Sequence, residues 1–400
     1  ASISESERVA TPVRHPRACL PLLRLTRHMT SKRGLAFLPL LAVLIGACGG
    51  GAVTQSSPTP IPAATGQTRP ATAPPTTAPT PSPTPTPIVR WPLTGLVAQE
   101  PASVKRRPLN VRLPNDPAAR PQQGLARADV VFEMIVEGGI TRYAAIFHSQ
   151  NPQQVGPVRS YRFSDLHITQ MLKGALVASG ATIEEIDAVT RSVNAGNMLS
   201  IDANRHGAPY FRVGNRPAPN NLFANLEIAR DTLNRIGGGN PVDVPAFKFL
   251  ASVEHDATAG GFAGSAPATT VTIPFQHAPA TFTWDEGSKG YRRSQAGVRT
   301  VDPDGNVAVL ARNVIAIHTN IWLTNVVQDI FGSLGLDYRM TGGGAVSVFR
   351  DGRRQDGTWK RDNPLDPFTF FDQQGNEISL SPGQSWIHFV YPEWVVPSSP

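Results

Sequence analysis

The sequence is 400 residues long, 40% hydrophobic, and carries 37 Lys and Arg against 30 Asp and Glu, a formal net charge of +7. Seven of the basic residues and two of the acidic ones precede Cys48, so the chain from Cys48 onward carries only +2. This near-balance removes the global basicity that a nucleic-acid role would need, and we expect no nucleic-acid partner. The only cysteines are Cys19 and Cys48, which excludes a disulfide framework in the folded part.

The first 47 residues are typical of a secretory leader. Residues 1–28 show no useful periodicity, and we expect them to be an extension upstream of a start at Met29. In residues 29–47, two basic residues precede an apolar run over 35–45 and a small-residue pair before Cys48. The apolar run is too short to span a bilayer, which needs about 20 residues. We predict a lipoprotein signal peptide, with Cys48 as the lipidated residue.

Residues 48–90 form a Pro- and Thr-rich linker by composition. Eleven prolines and a single charge, Arg69, lie between residues 49 and 89. Such a segment favours polyproline II at roughly 3.1 Å per residue, which gives a reach of about 130 Å. We predict a disordered stalk that joins the lipid anchor to the folded part, on the extracytoplasmic face of a bacterial cell membrane.

Residues 91–240 mix strand and helix patterns. Strands are predicted at 128–137, 141–149 and 174–180, where apolar and β-branched residues dominate. Helices are predicted after N-capping residues, which are Ser164, Thr182 and Asn221. Thr182 is followed three residues later by Glu185, the pattern of a capping box. This region is predicted to be a mixed α/β N-terminal domain.

Residues 246–396 follow a Gly-rich segment and change to strands joined by Gly with Asp, Asn or Ser. We predict a β-rich C-terminal domain with one helix, from about Trp322 to Leu334. The predicted fold class for the whole chain is therefore α+β.

Arg142, Arg159 and Arg162 lie in a stretch that contains no Asp or Glu. If residues 141–149 and 155–162 form adjacent strands, Arg159 and Arg162 lie on opposite faces of the sheet and Arg142 lies at the far end of its strand. A guanidinium binds phosphate or carboxylate through two parallel hydrogen bonds. The pattern predicts an anion-binding site. The alternative is that Glu133 and Glu137, on the preceding strand, neutralise Arg142 and Arg159 as structural ion pairs.

Arg212 and Asn221 lie in a second polar segment and are further candidates for anion binding, since a helix starting at Asn221 would attract an anion. The same segment is equally consistent with a long surface loop. Residues 302–306 resemble the start of a calcium loop, but Asn313 stands where a bidentate Glu is needed, so a hairpin turn is predicted instead. We expect no metal and no cofactor.

Several segments resemble the YerB-like bacterial lipoproteins. In the first half these are Trp91–Leu96, Ala119–Phe147, Gly156–Arg162 and Ala218–Phe223, and in the second half they are ARNVIAI, DGTWKRDNP and GQSWI. The resemblance covers residues 91–396 and implies two domains and an address in the cell envelope. It implies no activity, and no catalytic residue is carried over from it.

The stretch from Thr141 to Arg162 is also similar, in the order of its elements, to LytR-type cell-wall phosphotransferases, which hold a polyprenyl pyrophosphate with arginines. Arg142 and Ser160 stand where those enzymes have acidic residues. We expect a lipid-anchored envelope protein that binds an anionic ligand, a cell-wall glycan or an envelope protein through its N-terminal domain. The alternative is a phosphoryl-transfer enzyme acting on a lipid-linked pyrophosphate precursor, and a purely structural spacer is a third possibility.

Overall fold

The computed structural model describes residues 88–400. The predicted upstream extension, the signal peptide with Cys48 and nearly all of the linker lie outside the described residues. Within the described part, no helix has both the length and the apolar character needed to cross a membrane.

An eleven-stranded sheet forms the centre of the fold. Its strands, in chain order, are β1 (Leu109–Pro114), β2 (Val130–Ile135), β3 (Thr141–Phe147), β4 (Ala175–Ala178), β5 (Leu199–Asp202), β8 (Ala266–Pro267), β16 (Asn313–His318), β19 (Gly342–Arg350), β20 (Arg353–Arg361), β21 (Thr369–Asp372) and β22 (Ser385–Val390). Across the sheet the order is β21-β20-β19-β16-β22-β2-β3-β1-β4-β5, with β8 paired to β20.

The other strands form a six-stranded sheet and three two-stranded ribbons. The six-stranded sheet contains β9 (Thr270–Ile273), β10 (Ala280–Asp285), β11 (Gly290–Gln295), β12 (Val298–Arg299), β15 (Leu310–Ala311) and β23 (Ser398–Ser399). The ribbons are β6 (Tyr210–Arg212) with β7 (Leu222–Ala224), β13 (Val301–Asp302) with β14 (Val307–Ala308), and β17 (Ile321–Val327) with β18 (Leu334–Tyr338).

Three α-helices are present in the described part, and all of them lie in its first half: α1 (Phe163–Met171), α2 (Ile183–Asn194) and α3 (Leu226–Leu233). Short helical turns occur at Pro101–Lys105, Pro117–Ala119, Leu125–Arg127, Glu137–Gly139, Asn234–Gly238 and Asp304–Asn306.

The helix starts test the predicted caps. The capping box of Thr182 and Glu185 is confirmed at the start of α2. Helix α1 begins two residues earlier than expected, with Arg162 at the N-cap in place of Ser164. The prediction that Asn221 caps the third helix is wrong, because residues 222–224 pair as a strand and Asn225 takes the cap.

The α+β fold class is confirmed, but the helix predicted from Trp322 to Leu334 is wrong. These residues form the ribbon of β17 and β18. Its turn is held by the Asp329 carboxylate, which accepts hydrogen bonds from the backbone N–H groups of Phe331 at 2.9 Å and Ser333 at 3.1 Å. This local turn competes with the helix, as Asp side chains commonly do.

The central sheet runs through both predicted domains. Strand β22, near the end of the chain, lies between β16 and β2 and pairs in parallel with β2, so that Glu133 faces His388 across the two strands. The hydrogen-bonded sheet therefore crosses the predicted boundary between residues 240 and 246 without interruption.

Both faces of the central sheet are covered, which explains why all six residues of β2 are buried. Val131 and Ile135 pack on the face that also contacts α3 and the six-stranded sheet. Phe132 and Met134 pack on the opposite face, with α1. A strand buried on both sides reads as a continuous apolar run, so the single acidic residue Glu133 in its middle needs partners.

Candidate functional site

The candidate site lies at one edge of the central sheet, where the carboxyl ends of three parallel strands meet. Strands β1, β4 and β5 are parallel neighbours. Strand β3 runs antiparallel to β1, so that its first residues, including Arg142, lie beside the end of β1. In open sheets with parallel strands, ligands bind outside such carboxyl ends.

The segment 155–162 crosses this edge instead of adding a strand beside β3. Its backbone is fixed by hydrogen bonds from Arg159 N–H to the Arg112 carbonyl at 3.0 Å and from Ser179 N–H to the Arg159 carbonyl at 3.1 Å. Both edges of β3 are already paired, with β1 and β2, so the predicted pairing of 155–162 with 141–149 is wrong. The crossing nevertheless brings Arg159 and Arg162 to the site.

Four arginines gather here, and we call them the arginine cluster: Arg112, Arg142, Arg159 and Arg162. Arg112, Arg142 and Arg162 are buried, whereas Arg159 is partly exposed. Arg112 was not predicted. The signal that could have found it is a charged residue in the middle of β1, a strand whose six residues are all buried.

Glu137 neutralises part of the cluster, and we call Glu137 with Arg142 and Arg162 the Glu137 centre. Its carboxylate accepts a hydrogen bond from Arg142 Nη2 at 2.7 Å and from Arg162 Nε at 2.9 Å, and Arg162 Nη2 donates a second bond to it. Burial alone would raise the pKa of Glu137, but the hydrogen bond from Arg162 and the charge of Arg142 lower it to about 2. The Glu137 carboxyl is thus ionised at neutral pH.

The turn that presents Glu137 depends on glycine. Gly138 and Gly139 both have φ of 70°, in the left-handed region that side chains disfavour. At Gly139 a Cβ atom would also come within 2.7 Å of the His277 ring. The Gly-Gly pair therefore fixes the direction in which the Glu137 side chain enters the cluster.

Two further acids face the cluster from helix starts. Asp165 lies 3.2 Å from Arg112, and both side chains are fully buried. Asp165 also accepts the backbone N–H of Arg162 at 2.8 Å. Burial raises the pKa of Asp165, and the charge of Arg112 opposes that rise. Glu185 is 3.9 Å from Arg162.

The cluster holds more positive than negative charge. Its four arginines face Glu137, Asp165 and Glu185, and the Arg159 guanidinium donates no hydrogen bond to any described residue. Burial lowers the pKa of Arg142 to about 9, and the charge of Arg162 acts in the same direction. Repulsion among the guanidinium groups is therefore not fully compensated by the acids.

Glu133 belongs to a different centre, which we call the Glu133 centre. Arg293 Nη2 donates to both carboxylate oxygens of Glu133, at 3.1 and 3.0 Å, and Thr141 Oγ1 donates to the same carboxylate at 2.8 Å. Asn115 Nδ2 donates to it at 3.2 Å, and His388 Nε2 is 3.4 Å away. The sequence did not predict Arg293 as its partner.

The ion-pair alternative is thus realised only in part. Glu137 pairs with Arg142, as that alternative required, but Glu133 pairs with Arg293, and Arg159 pairs with neither acid.

Arg212 and Asn221 lie on the ribbon of β6 and β7. Arg212 Nη1 donates to Asn221 Oδ1 at 2.6 Å, in an exposed position. No hydrogen bond among the described residues joins this pair to the arginine cluster. Across residues 88–400 no group of three or more His, Cys, Asp or Glu is placed to hold a metal ion.

Fold and site together define a class of protein: an α+β chain in which two sequence halves share one sheet and arginines collect at its edge. Residues 93–237 match the N-terminal domain, and residues 271–387 the C-terminal domain, of a family described as protein of unknown function (DUF3048). The chain belongs to this YerB-like family, as the sequence segments had indicated.

Two comparisons with a relative from Bacillus subtilis support the assignment. Over 309 residues the chain is 26% identical to the "Putative lipoprotein YerB" of strain 168, a match that spans 75% of this chain and 85% of that protein. The crystal structure of the YerB protein aligns with a TM-score of 0.64 at 24% identity, covering 76% of this chain and 96% of that one. The solved structure thus shares the fold described above.

Proposed function

We propose that this protein is a lipid-anchored component of the bacterial cell envelope whose N-terminal domain binds an anionic ligand at the arginine cluster. The observation that carries the proposal is Arg159: its backbone is held on both sides, yet its guanidinium has no hydrogen-bond partner among the described residues. A partly exposed guanidinium beside three others is suited to a phosphate or carboxylate.

The anchor is supported by the signal pattern that ends at Cys48 and by the lipoprotein name of the Bacillus subtilis relative. A thioether-linked lipid is what would hold the chain at the extracytoplasmic face of the membrane. Cys48→Ala should move the protein from the membrane fraction to the soluble fraction or leave it unprocessed. Unchanged membrane partition and lipid mass would contradict the anchor.

The surroundings of the cluster favour an anion for a second reason. Helix α1 starts directly after Arg162, and the positive end of its dipole adds to the local potential. The amides at this start are partly satisfied by Asp165, so we assign the binding role to the arginine and treat the helix as support. An incoming oxyanion would relieve the repulsion that Arg159 adds to the buried arginines.

The test is calorimetric titration of the full-length protein with inorganic phosphate and inorganic pyrophosphate. Arg159→Gln should weaken binding by about tenfold or more, since it removes a charge-assisted hydrogen bond. Arg191→Gln is the matched control, because Arg191 is an exposed arginine of the same domain, on α2. Equal affinities for wild type and Arg159→Gln, or no binding by wild type, would overturn the proposal.

A turnover assay distinguishes the phosphoryl-transfer alternative from binding alone. The same preparations are incubated with a polyprenyl pyrophosphate with and without a divalent cation. A binding protein should leave the lipid intact in both conditions. Cleavage or transfer that depends on the cation and on Arg159 would replace the binding proposal by an enzymatic one.

A further inference from the structure

A second arginine-lined feature lies away from the arginine cluster, where the loop after β1 meets the end of β11 and the following hairpin. It is a cavity of about 440 Å³, and we call it the junction cavity. Its volume lies within the range of roughly 300–1,000 Å³ that small-molecule sites occupy. Its walls come from residues 115–122 on one side and 293–301 on the other, so both halves of the sequence build it.

Positive charge dominates this cavity. Arg120, Arg293 and Arg299 line it, and none of the described residues that line it is acidic. The charge of Arg293 is neutralised by its ion pair with Glu133. Arg120 donates only to the Asn115 carbonyl at 2.7 Å and to the Asn115 side-chain oxygen at 3.1 Å. Arg120 and Arg299 therefore bring two charges that no described acid compensates.

The floor of the cavity is a buried polar layer. Arg293 is only 1% exposed, and its Nε has no hydrogen-bond partner among the described residues. Its guanidinium lies over the Trp386 ring at 4.7 Å and the Tyr143 ring at 5.4 Å, which fixes its orientation.

Part of the wall is apolar. Pro117, Pro121, Val298 and Val301 line the same cavity. Val298 is 71% exposed, so its apolar side chain is accessible to a ligand. The cavity thus offers cationic donors at one part and an apolar surface at another.

We infer that the junction cavity binds a small organic oxyanion, that is, a phosphate or carboxylate group carried on an apolar body. The oxyanion contacts Arg120 and Arg299, and the apolar body lies against Val298 and the two prolines. The junction cavity is distinct from the arginine cluster, because it is lined by different residues and by elements from both sequence halves.

The test is calorimetric titration of the full-length protein with phenyl phosphate, benzoate, inorganic phosphate and phenol. Phenyl phosphate or benzoate should bind at least about tenfold more tightly than inorganic phosphate and phenol, because only the first two satisfy both parts of the cavity. The preference between phenyl phosphate and benzoate identifies the anionic group.

Two variants assign the binding to this cavity. Arg299→Gln should weaken phenyl phosphate and benzoate alike by about tenfold, since Arg299 is exposed and its loss leaves the fold intact. Val298→Ser should weaken the two aromatic anions and leave inorganic phosphate unchanged. The control Arg191→Gln should leave the aromatic anions unchanged, and Arg159→Gln should keep their tight binding at the junction cavity while removing any binding of these anions at the arginine cluster.

The outcomes separate this inference from the proposed function. Loss of aromatic-anion binding in Arg159→Gln but not in Arg299→Gln would overturn the junction cavity and favour the arginine cluster. In the Arg159→Gln variant, aromatic-anion binding no tighter than that of inorganic phosphate would overturn it as well. Loss of aromatic-anion binding in Arg299→Gln, with binding retained in Arg159→Gln, would support the junction cavity as the site, whatever the arginine cluster binds.

Discussion

The Glu133 centre and the Glu137 centre are built from the same kinds of residue and do different things. The two glutamates are four positions apart, one in the middle of β2 and the other just past its end. Glu133 is fully buried and has Arg293, a residue 160 positions away, as its cation. Glu137 lies at the sheet edge, and its cations, Arg142 and Arg162, come from the neighbouring sequence.

The difference shows that the position of an ion pair in the fold determines whether all the charges around it are compensated. In the Glu133 centre one carboxylate and one guanidinium are enclosed, so the pair holds the two sequence halves together and neither member is free. In the Glu137 centre one carboxylate accepts hydrogen bonds from Arg142 and Arg162 and does not pair with Arg159. Natural folds keep such like-charge groups where they are functional, at a cost to stability.

The largest expected effect is on the Glu133 centre. Arg293→Ala should lower the free energy of unfolding by about 3–5 kcal/mol, because it leaves a buried carboxylate without its cation. Urea denaturation followed by circular dichroism measures it. Arg292→Ala is the matched control: Arg292 precedes it on β11, and its ion pair with Asp285 is 40% and 30% exposed, so the loss should stay under about 1 kcal/mol.

Equal stability of Arg293→Ala and Arg292→Ala would show that the Glu133 centre does not hold the two sequence halves together. A second variant guards against simple misfolding. Glu133→Gln with Arg293→Met removes both charges, and it should be more stable than Arg293→Ala alone, because no uncompensated charge is then buried.

The next effect is a pH dependence of the Glu137 centre. The folded-state pKa of Glu137 is about 2, below its ordinary value of 4.5, so its ionised form stabilises the fold above pH 4.5 and this contribution is lost as the pH falls toward about 2. Wild type should exceed Glu137→Gln in free energy of unfolding by roughly 2–3 kcal/mol at neutral pH. The difference should shrink on acidification.

Urea titrations from about pH 7 to about pH 3 supply the measurement for this window. Glu184→Gln is the control, since Glu184 is an exposed glutamate on α2 and its loss should leave the curve unchanged. Asp165 acts in the opposite direction, because burial raises its pKa in the folded protein. A wild-type minus Glu137→Gln difference that grows in acid would contradict the assignment.

The smallest effect is expected at Arg159. Arg159→Ala should change the free energy of unfolding by less than about 0.5 kcal/mol, or raise it slightly, because it breaks no hydrogen bond and removes repulsion. Arg162→Ala, by contrast, removes two hydrogen bonds to Glu137 and should cost about 2 kcal/mol or more. Thermal melts of both variants measure the difference in stability. Similar losses for the two would make Arg159 an ordinary structural arginine.

Features with local causes could be predicted from the sequence. The capping box at Thr182 needs only residues three apart, and strands β2, β3 and β4 follow from runs of apolar residues a few positions long. The α+β class and the YerB-like family were accessible for the same reason, since they rest on short segments. Arg142, Arg159 and Arg162 were also candidates for one anion-binding site from the sequence, although through a strand pairing that does not occur.

The partner that each charged side chain contacts depends on the tertiary fold. The pairing of Glu133 with Arg293 depends on where β11 packs against the central sheet, and the link between the halves depends on β22 entering beside β2. The ribbon at 321–338 likewise replaced a helix, because its Asp329 turn and cross-strand pairing outweigh a weak helical preference. Partner choice is a long-range property: a charged side chain specifies that it needs a counter-charge, and the topology of the sheet specifies which one it reaches.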